Sequence, residues 1–195
     1  MNDIAEYFNS RADQWAKDVQ PTTPAQLIVP SIAGLSNESR VLDVGCGTGV
    51  MAPIYLANNV RSVVALDVAS RMIEHARETY ADEPTLRFEC CDVYDFEDEE
   101  GFDAFVIYNA YPHFLNKKQL VEKAASLLRP NGRFVVIHSM SRERVNACHH
   151  SVPDHVRCSL RSAKDEAAEW KDRFLIDTIV DAPSFYCFAG TVLEA

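Results

Sequence analysis

With 195 residues, 47% of them hydrophobic and 25% charged, the chain has ordinary globular composition and enough length for one sizeable core, so a single domain over residues 1–195 is expected. A formal net charge of -10 and a pI near 5.0 repel nucleic-acid phosphates and anionic membrane surfaces, leaving small molecules as the expected partners rather than tRNA, rRNA or DNA. Residues 1–6 lack the basic and apolar regions of a signal peptide, and no apolar run reaches membrane-spanning length; a cytoplasmic location without a membrane partner is expected. The cysteines, Cys46, Cys90, Cys91, Cys148, Cys158 and Cys187, are irregularly spaced with no C-x-x-C pair, and free thiols are expected.

Ile4, Tyr7, Phe8, Ala12 and Trp15 recur at helical spacing and predict an amphipathic helix over residues 4–17. Pro21 and Pro24 break the chain. Residues 25–35, apolar through Leu27, Ile28, Val29 and Ile32, read as a second helix that ends near Gly34 and that Pro30 kinks or bounds. Val41, Leu42 and Val44 then predict a buried strand that stops abruptly in Gly45, Gly47 and Gly49, alternating with Cys46 and Thr48. Glycines remove Cβ atoms where a backbone must turn tightly and approach a ligand, so a polar or charged small molecule is expected over this turn. A helix over residues 50–58 adds its first N–H groups to the cradle.

Residues 61–67 form the predicted second strand, closing on Asp67 about 20 residues after the turn, where nucleotide-binding α/β folds place a carboxylate against ribose hydroxyls. A helix opens at residues 69–77. Residues 86–93 give a third strand ending in Asp92 and Val93, and residues 97–100 an acidic solvated loop. The fourth strand starts at Phe102 and runs into Asn109, Tyr111 and His113, at the edge where ligands of open parallel sheets collect. A helix over residues 117–128 leads through Pro130-Asn131-Gly132 into a fifth strand that reaches His138, with Asn131 suited to positive φ. Beyond it come a short helix capped by Ser141, a helix around residues 163–170, and a closing hairpin of residues 174–180 and 185–192.

Glycine spacing separates two kinds of nucleotide. The dinucleotide fingerprint is G-x-G-x-x-G, but here the third glycine falls one place early, at Gly49, and Val50 stands where that fingerprint needs glycine. Asp43 with Gly45-Cys46-Gly47-Thr48-Gly49 instead resembles motif I of the class I S-adenosylmethionine (SAM) methyltransferases, of the small-molecule type similar to the ubiquinone/menaquinone-biosynthesis and biotin-synthesis enzymes. The run from Leu66 to Ala76 resembles that family's D-x-S-x-x-M-x-x-x-A pattern with Ser70 one place late, and Leu128-Arg129-Pro130-Asn131-Gly132 resembles its L-x-P-G-G signature with Asn131 for the first glycine.

The resemblance implies a Rossmann-like α/β fold, a mostly parallel seven-stranded sheet with an antiparallel closing strand and helices on both faces. Residues 1–35 would form an N-terminal helical cap or lid, and residues 139–172 an acceptor-side insertion. It implies SAM as cofactor and S-adenosylhomocysteine (SAH) as product. Asp43, Gly45, Cys46, Gly47, Thr48 and Gly49 would hold the methionine end, Asp67 the ribose, and Asp92 and Val93 the adenine, with Met72 packed on the adenine and Val68 and Asn109 also on the donor.

A small-molecule acceptor is expected against Tyr7, Trp15, Tyr111, His113, His138, Asn146 and His149, in a monomer or homodimer. His113 and His138 lie at one sheet edge and are the candidate catalytic bases, because an unperturbed imidazole titrates near pH ~6.5. Histidine and cysteine also ligate zinc, but the spacing of His113, His138, Cys148 and His149 matches no familiar zinc motif, and no metal is expected. Two other functions stay open, a non-catalytic SAM-binding regulator or partner subunit and an NAD-dependent oxidoreductase.

Overall fold

The structure, a computed structural model, describes residues 3–18, 21–148 and 152–193. Its centre is β1 (Arg40–Val44), buried at all five positions. A strand covered on both faces belongs in the middle of a parallel sheet, and β1 pairs in parallel with β2 (Ser62–Asp67) and β4 (Phe102–Tyr108). β3 (Leu86–Cys90) extends the sheet beyond β2, and β5 (Leu128–His138) extends it beyond β4, again in parallel. β7 (Tyr186–Val192) runs antiparallel between β5 and β6 (Phe174–Asp181), giving the order β3-β2-β1-β4-β5-β7-β6. The strand order reverses between β1 and β4, which puts the ligand-binding crevice of such a sheet at the carboxyl ends of these two strands.

Strand alternation feeds two core layers. Leu42, Phe105 and Phe134 face one, together with Trp170 and Phe188, whereas Val41, Val106 and Val135 face the other, together with Tyr55. In the first layer Phe134 stacks on Trp170 with ring centroids 4.1 Å apart and meets Phe174 edge-on at 4.7 Å. That layer is closed by α6 (Lys117–Leu127) and α8 (Ala163–Ala168). The second is closed by α3 (Pro24–Ala33), α4 (Ala52–Ala57) and α5 (Ser70–Thr79). Thr23 caps α3 reciprocally with Gln26, and Gly34 ends it in the left-handed region at φ 65°; Pro30 lies inside the helix without ending it.

The N-terminal helix expected over residues 4–17 is two helices, α1 (Asp3–Asn9) and α2 (Ala12–Lys17). Ser10 Oγ and the Arg11 guanidinium both donate to the Tyr7 carbonyl, at 2.8 and 3.1 Å, so the acceptor that a continuous helix reserves for the Arg11 N–H is taken, and that N–H turns to Phe8 instead. β3 also stops short of the expected Val93, because Asp92 opens a turn in which its Oδ1 accepts from the Tyr94 N–H at 3.1 Å. After β5, α7 (Arg142–Cys148) places Val145 in the core that Ala163 and Ala167 of α8 share with Trp170. The segment expected to serve the acceptor is therefore partly structural. No helix among the described residues is long and apolar enough to cross a membrane, and all six thiols are free.

Candidate active site

The glycine turn leaves β1 under tight backbone constraint. Gly45, Gly47 and Gly49 all have positive φ, at 75, 55 and 85°. A Cβ on Gly45 would lie 2.6 Å from the Ala110 Cβ, so that position is dictated by a close approach within the protein. Nothing lies within 4 Å of a Cβ built on Gly47. Gly47 is thus glycine for its backbone, and the space above it is open to a ligand.

Asp67, at the end of β2, reaches back into this turn. Its Oδ2 accepts from the Gly47 N–H at 2.9 Å and its Oδ1 from the Ala69 N–H at 2.9 Å. Burial raises the Asp67 pKa above the ordinary carboxylate value, while the backbone donors of Ala69, Gly47 and Val68 oppose the rise. Asp43 lies deeper, only 2% exposed. Burial first, then the charge of Asp67, push it up to about 7, against a smaller opposing effect of Tyr55. Cys46 is equally enclosed, and burial holds its thiol far above the ordinary range. A buried, un-ionised thiol between glycines is a small turn residue and no nucleophile.

The other expected donor residues distribute around this centre. The Cys91 N–H bonds the Asp67 carbonyl at 3.0 Å, which brings the turn carrying Asp92 and Val93 beside the glycine turn. Val93 itself is buried in the core. Thr48 and Val68 are half-buried in the two turns. Asn109, at φ 55°, spends its side chain on Ser139: its Oδ1 accepts from the Ser139 N–H at 2.8 Å and its Nδ2 donates to Ser139 Oγ at 3.0 Å. It ties the end of β4 to the end of β5. Met72 packs with Phe8, Ala12 and Ala69 beneath the N-terminal helices.

The expected acceptor residues separate. His113 sits in a 3₁₀ turn (Tyr111–His113) after β4, its Nδ1 2.9 Å from the Val156 carbonyl and its ring edge-on to Phe8 at 4.8 Å. His138 is 1% exposed at the end of β5, edge-on to Tyr186 at 5.9 Å. Tyr111 is fully buried in the aromatic core, where its hydroxyl donates to Glu166 at 3.1 Å and receives the Trp170 Nε1–H at 3.4 Å, so it is not presented to an open pocket. Asn146 clips α7 to the chain at Leu160 through both ends of its amide, at 2.8 and 3.1 Å. Tyr7 lies under the Arg11 guanidinium, 3.7 Å from its ring centroid, and Trp15 is 47% exposed beside Phe8. His149 lies outside the described residues. Among the described residues no group of three or more His, Cys, Asp or Glu could hold a metal ion.

Two buried groups escape a reading of the sequence. Glu166 anchors Tyr111 and Arg161, and its only signal is an acid on the apolar face of Ala163 and Ala167. Tyr55 faces Asp43 from α4, and its only signal is a hydroxyl at an otherwise apolar helix position just after the glycine turn.

Residues 41–132 match a family described as "Methyltransferase domain". Over 136 residues the chain is 29% identical to the ubiquinone biosynthesis O-methyltransferase of Neisseria meningitidis serogroup C, covering 64% of this chain and 57% of that protein. Over 102 residues it is 31% identical to the malonyl-[acyl-carrier protein] O-methyltransferase of Acetivibrio thermocellus, covering 50% of this chain and 35% of that protein. The chain thus spans between 35% and 57% of the length of these two relatives. The fold of the N-methyltransferase NodS from Bradyrhizobium japonicum, solved in complex with SAH, superposes with a TM-score of 0.71 at 17% identity and 100% coverage of both chains. The matched segment runs from β1 into β5, so the part of the chain that carries the glycine turn, Asp67 and Asp92 is the part similar to a methyltransferase domain.

Proposed function

We propose that this chain transfers a methyl group from SAM to a small-molecule acceptor. The observation that carries the reading is the pair of carboxyl groups at the glycine turn, the buried Asp43 and the half-buried Asp67 that holds the Gly47 N–H, with open space at Gly47. SAM presents cations there, an ammonium and a sulfonium. A dinucleotide presents a pyrophosphate, which would meet two acids and a Gly47 N–H already bonded to Asp67. The names of the two relatives, both O-methyltransferases, support the same class of reaction.

SAM supplies an electrophilic methyl on a good leaving group, so alignment, exclusion of water and proton removal are what remain for the protein. Asp43 and the glycine turn hold the methionine end, Asp67 the ribose, and Asp92 with the Val93 backbone the adenine. For proton removal the geometry favours His113 over the enclosed His138. A carbonyl only accepts, so the Val156 contact keeps the proton on His113 Nδ1 and makes Nε2 the basic nitrogen. Val156 also lines a shallow, open surface groove of about 390 Å³ between α1 and a 3₁₀ turn (Asp154–Val156), together with Asp3, Glu6, Tyr7, Arg11 and His155. That space is the acceptor side of the reading. Transfer of label from SAM into a fractionated metabolite extract tests it. Asp67→Ala is expected to abolish SAH binding, and His113→Ala to keep SAH binding while slowing turnover about 100-fold or more. SAH binding without transfer to any fraction would instead indicate a regulator.

A further inference from the structure

Asp43 occupies a position that strand periodicity assigns to the core. Val41, two residues earlier on the same face of β1, belongs to the same buried core layer as Ala25, Val29 and Tyr55, and Asp43 pairs across the sheet with Ala65 and Val106. A carboxyl takes the place of an apolar side chain there. Its Oδ1 is buried without a hydrogen-bond partner, and so is the hydroxyl of Tyr55, the helix residue that faces it. The Tyr55 hydroxyl lies within reach of the Asp43 carboxyl and already acts to lower its pKa, while falling short of a well-formed hydrogen bond.

Leaving both atoms unpaired costs roughly 1–3 kcal/mol each, a standing penalty that a ligand can relieve. The titratable groups that act on Asp43 are Asp67 on β2 and Tyr55 on α4, with Cys46 of the turn beside both, and none is a cation. A carboxyl so placed holds its proton up to about pH 7, and a positive charge brought in by a ligand favours its ionised form. The charge it awaits is on the ligand.

We propose that Tyr55 is a positioning residue for the donor: when a cationic group enters over the glycine turn, Asp43 loses its proton and Tyr55 donates its hydroxyl to the resulting carboxylate, so donor affinity is coupled to pH through this buried pair. The proposal rests on the SAM reading of the site. The burial that pushes Asp43 up to about 7 places the coupling near neutrality, and the Tyr55 hydroxyl acts to lower that value. The sign follows. Ligand binds the ionised form, so affinity falls as pH falls through about 7, and removing the Tyr55 hydroxyl moves the fall to higher pH.

Tyr55→Phe keeps the ring in the core and removes only the donor. SAH calorimetry at pH 6 and pH 8 on the wild type and Tyr55→Phe is the first measurement, and a carbon-13 carboxyl titration of Asp43 in the ligand-free proteins is the second. For an Asp43 shift of one pH unit, the affinity lost in Tyr55→Phe is expected to be about fivefold larger at pH 6 than at pH 8, with the Asp43 midpoint raised in the ligand-free variant. In an Asp43→Asn background the pH dependence of the Tyr55→Phe effect should vanish. Equal losses at both pH values, or an unmoved Asp43 midpoint, would overturn the proposal and leave Tyr55 as core packing. A raised midpoint in a protein that binds no SAH would keep the coupled pair and reject the donor reading instead.

Discussion

Gly45 and Gly47 share a left-handed backbone for different reasons, and substitution separates them. Gly45→Ala drives a methyl into Ala110 and is expected to destabilise the fold by several kcal/mol. Gly47→Ala meets open space, so only its φ of 55° is penalised, by about 1 kcal/mol or a melting shift of about 2–4 °C. Its methyl nevertheless enters the space proposed for the donor, and SAH affinity should fall more than tenfold (~1.4 kcal/mol or more). Paired melting curves and calorimetry decide this. If Gly47→Ala bound SAH like the wild type, the ligand would not lie over that turn. Glu166 supplies the converse case, a residue important to the fold and remote from the donor. Glu166→Ala removes the acceptor of the Tyr111 hydroxyl and a buried partner of Arg161, and is expected to cost about 3 kcal/mol of stability, measured by denaturant unfolding, while sparing SAH affinity in the surviving folded protein.

At the scale of elements, the N-terminal helices are held to α5 by a small apolar patch and one carboxylate. Phe8, Ala12, Ala69 and Met72 pack together, and Asp13 accepts from Arg71 and contacts His75 Nε2, both at 2.8 Å. His75 and then Arg71 hold the Asp13 carboxyl below its ordinary value, so this clasp is present above about pH 4 and is lost as pH falls through the lowered value. Asp13→Ala is expected to speed amide hydrogen exchange in residues 3–17 while leaving β1 and β4 unchanged. Uniform acceleration across the chain would mean that these helices are part of the global unfolding unit rather than a detachable cap.

What the sequence reveals of these elements follows from the range of the forces involved. The strands, the glycine turn and Asp67 are legible because strand alternation, glycine stereochemistry and a carboxylate at a strand end are local signals. The break at Ser10 is not, because two side chains compete for one carbonyl within an otherwise unbroken helical pattern. Met72 reads equally well as an adenine contact or as core, and only the docking of α2 onto α5 places it beneath the N-terminal helices. Tyr111 and His138 share the sheet edge with His113, yet packing against Trp170 and Tyr186 encloses them; that depends on β7 entering between β5 and β6, far along the chain.

The whole molecule couples charge to stability in opposite directions. Arg40 holds Asp98 below the ordinary carboxylate range, so that pair stabilises the fold above the usual carboxylate pKa and is lost in acid. Asp43 is raised to about 7, so its contribution is fully present below about pH 4 and is lost as pH rises through 7. Between pH 5.5 and 8 the ligand-free protein should lose about 2 kcal/mol on this account, and Asp43→Asn should remove most of that slope in thermal melts. A slope unchanged in Asp43→Asn would assign the loss to other groups.

The central claim, that the acid-flanked turn after β1 binds SAM, is tested most directly by calorimetry of the purified wild type with SAH and, separately, with NAD. The account predicts one SAH site per chain, lost in Asp67→Ala, and no heat from NAD. Binding of NAD with no response to SAH would contradict it.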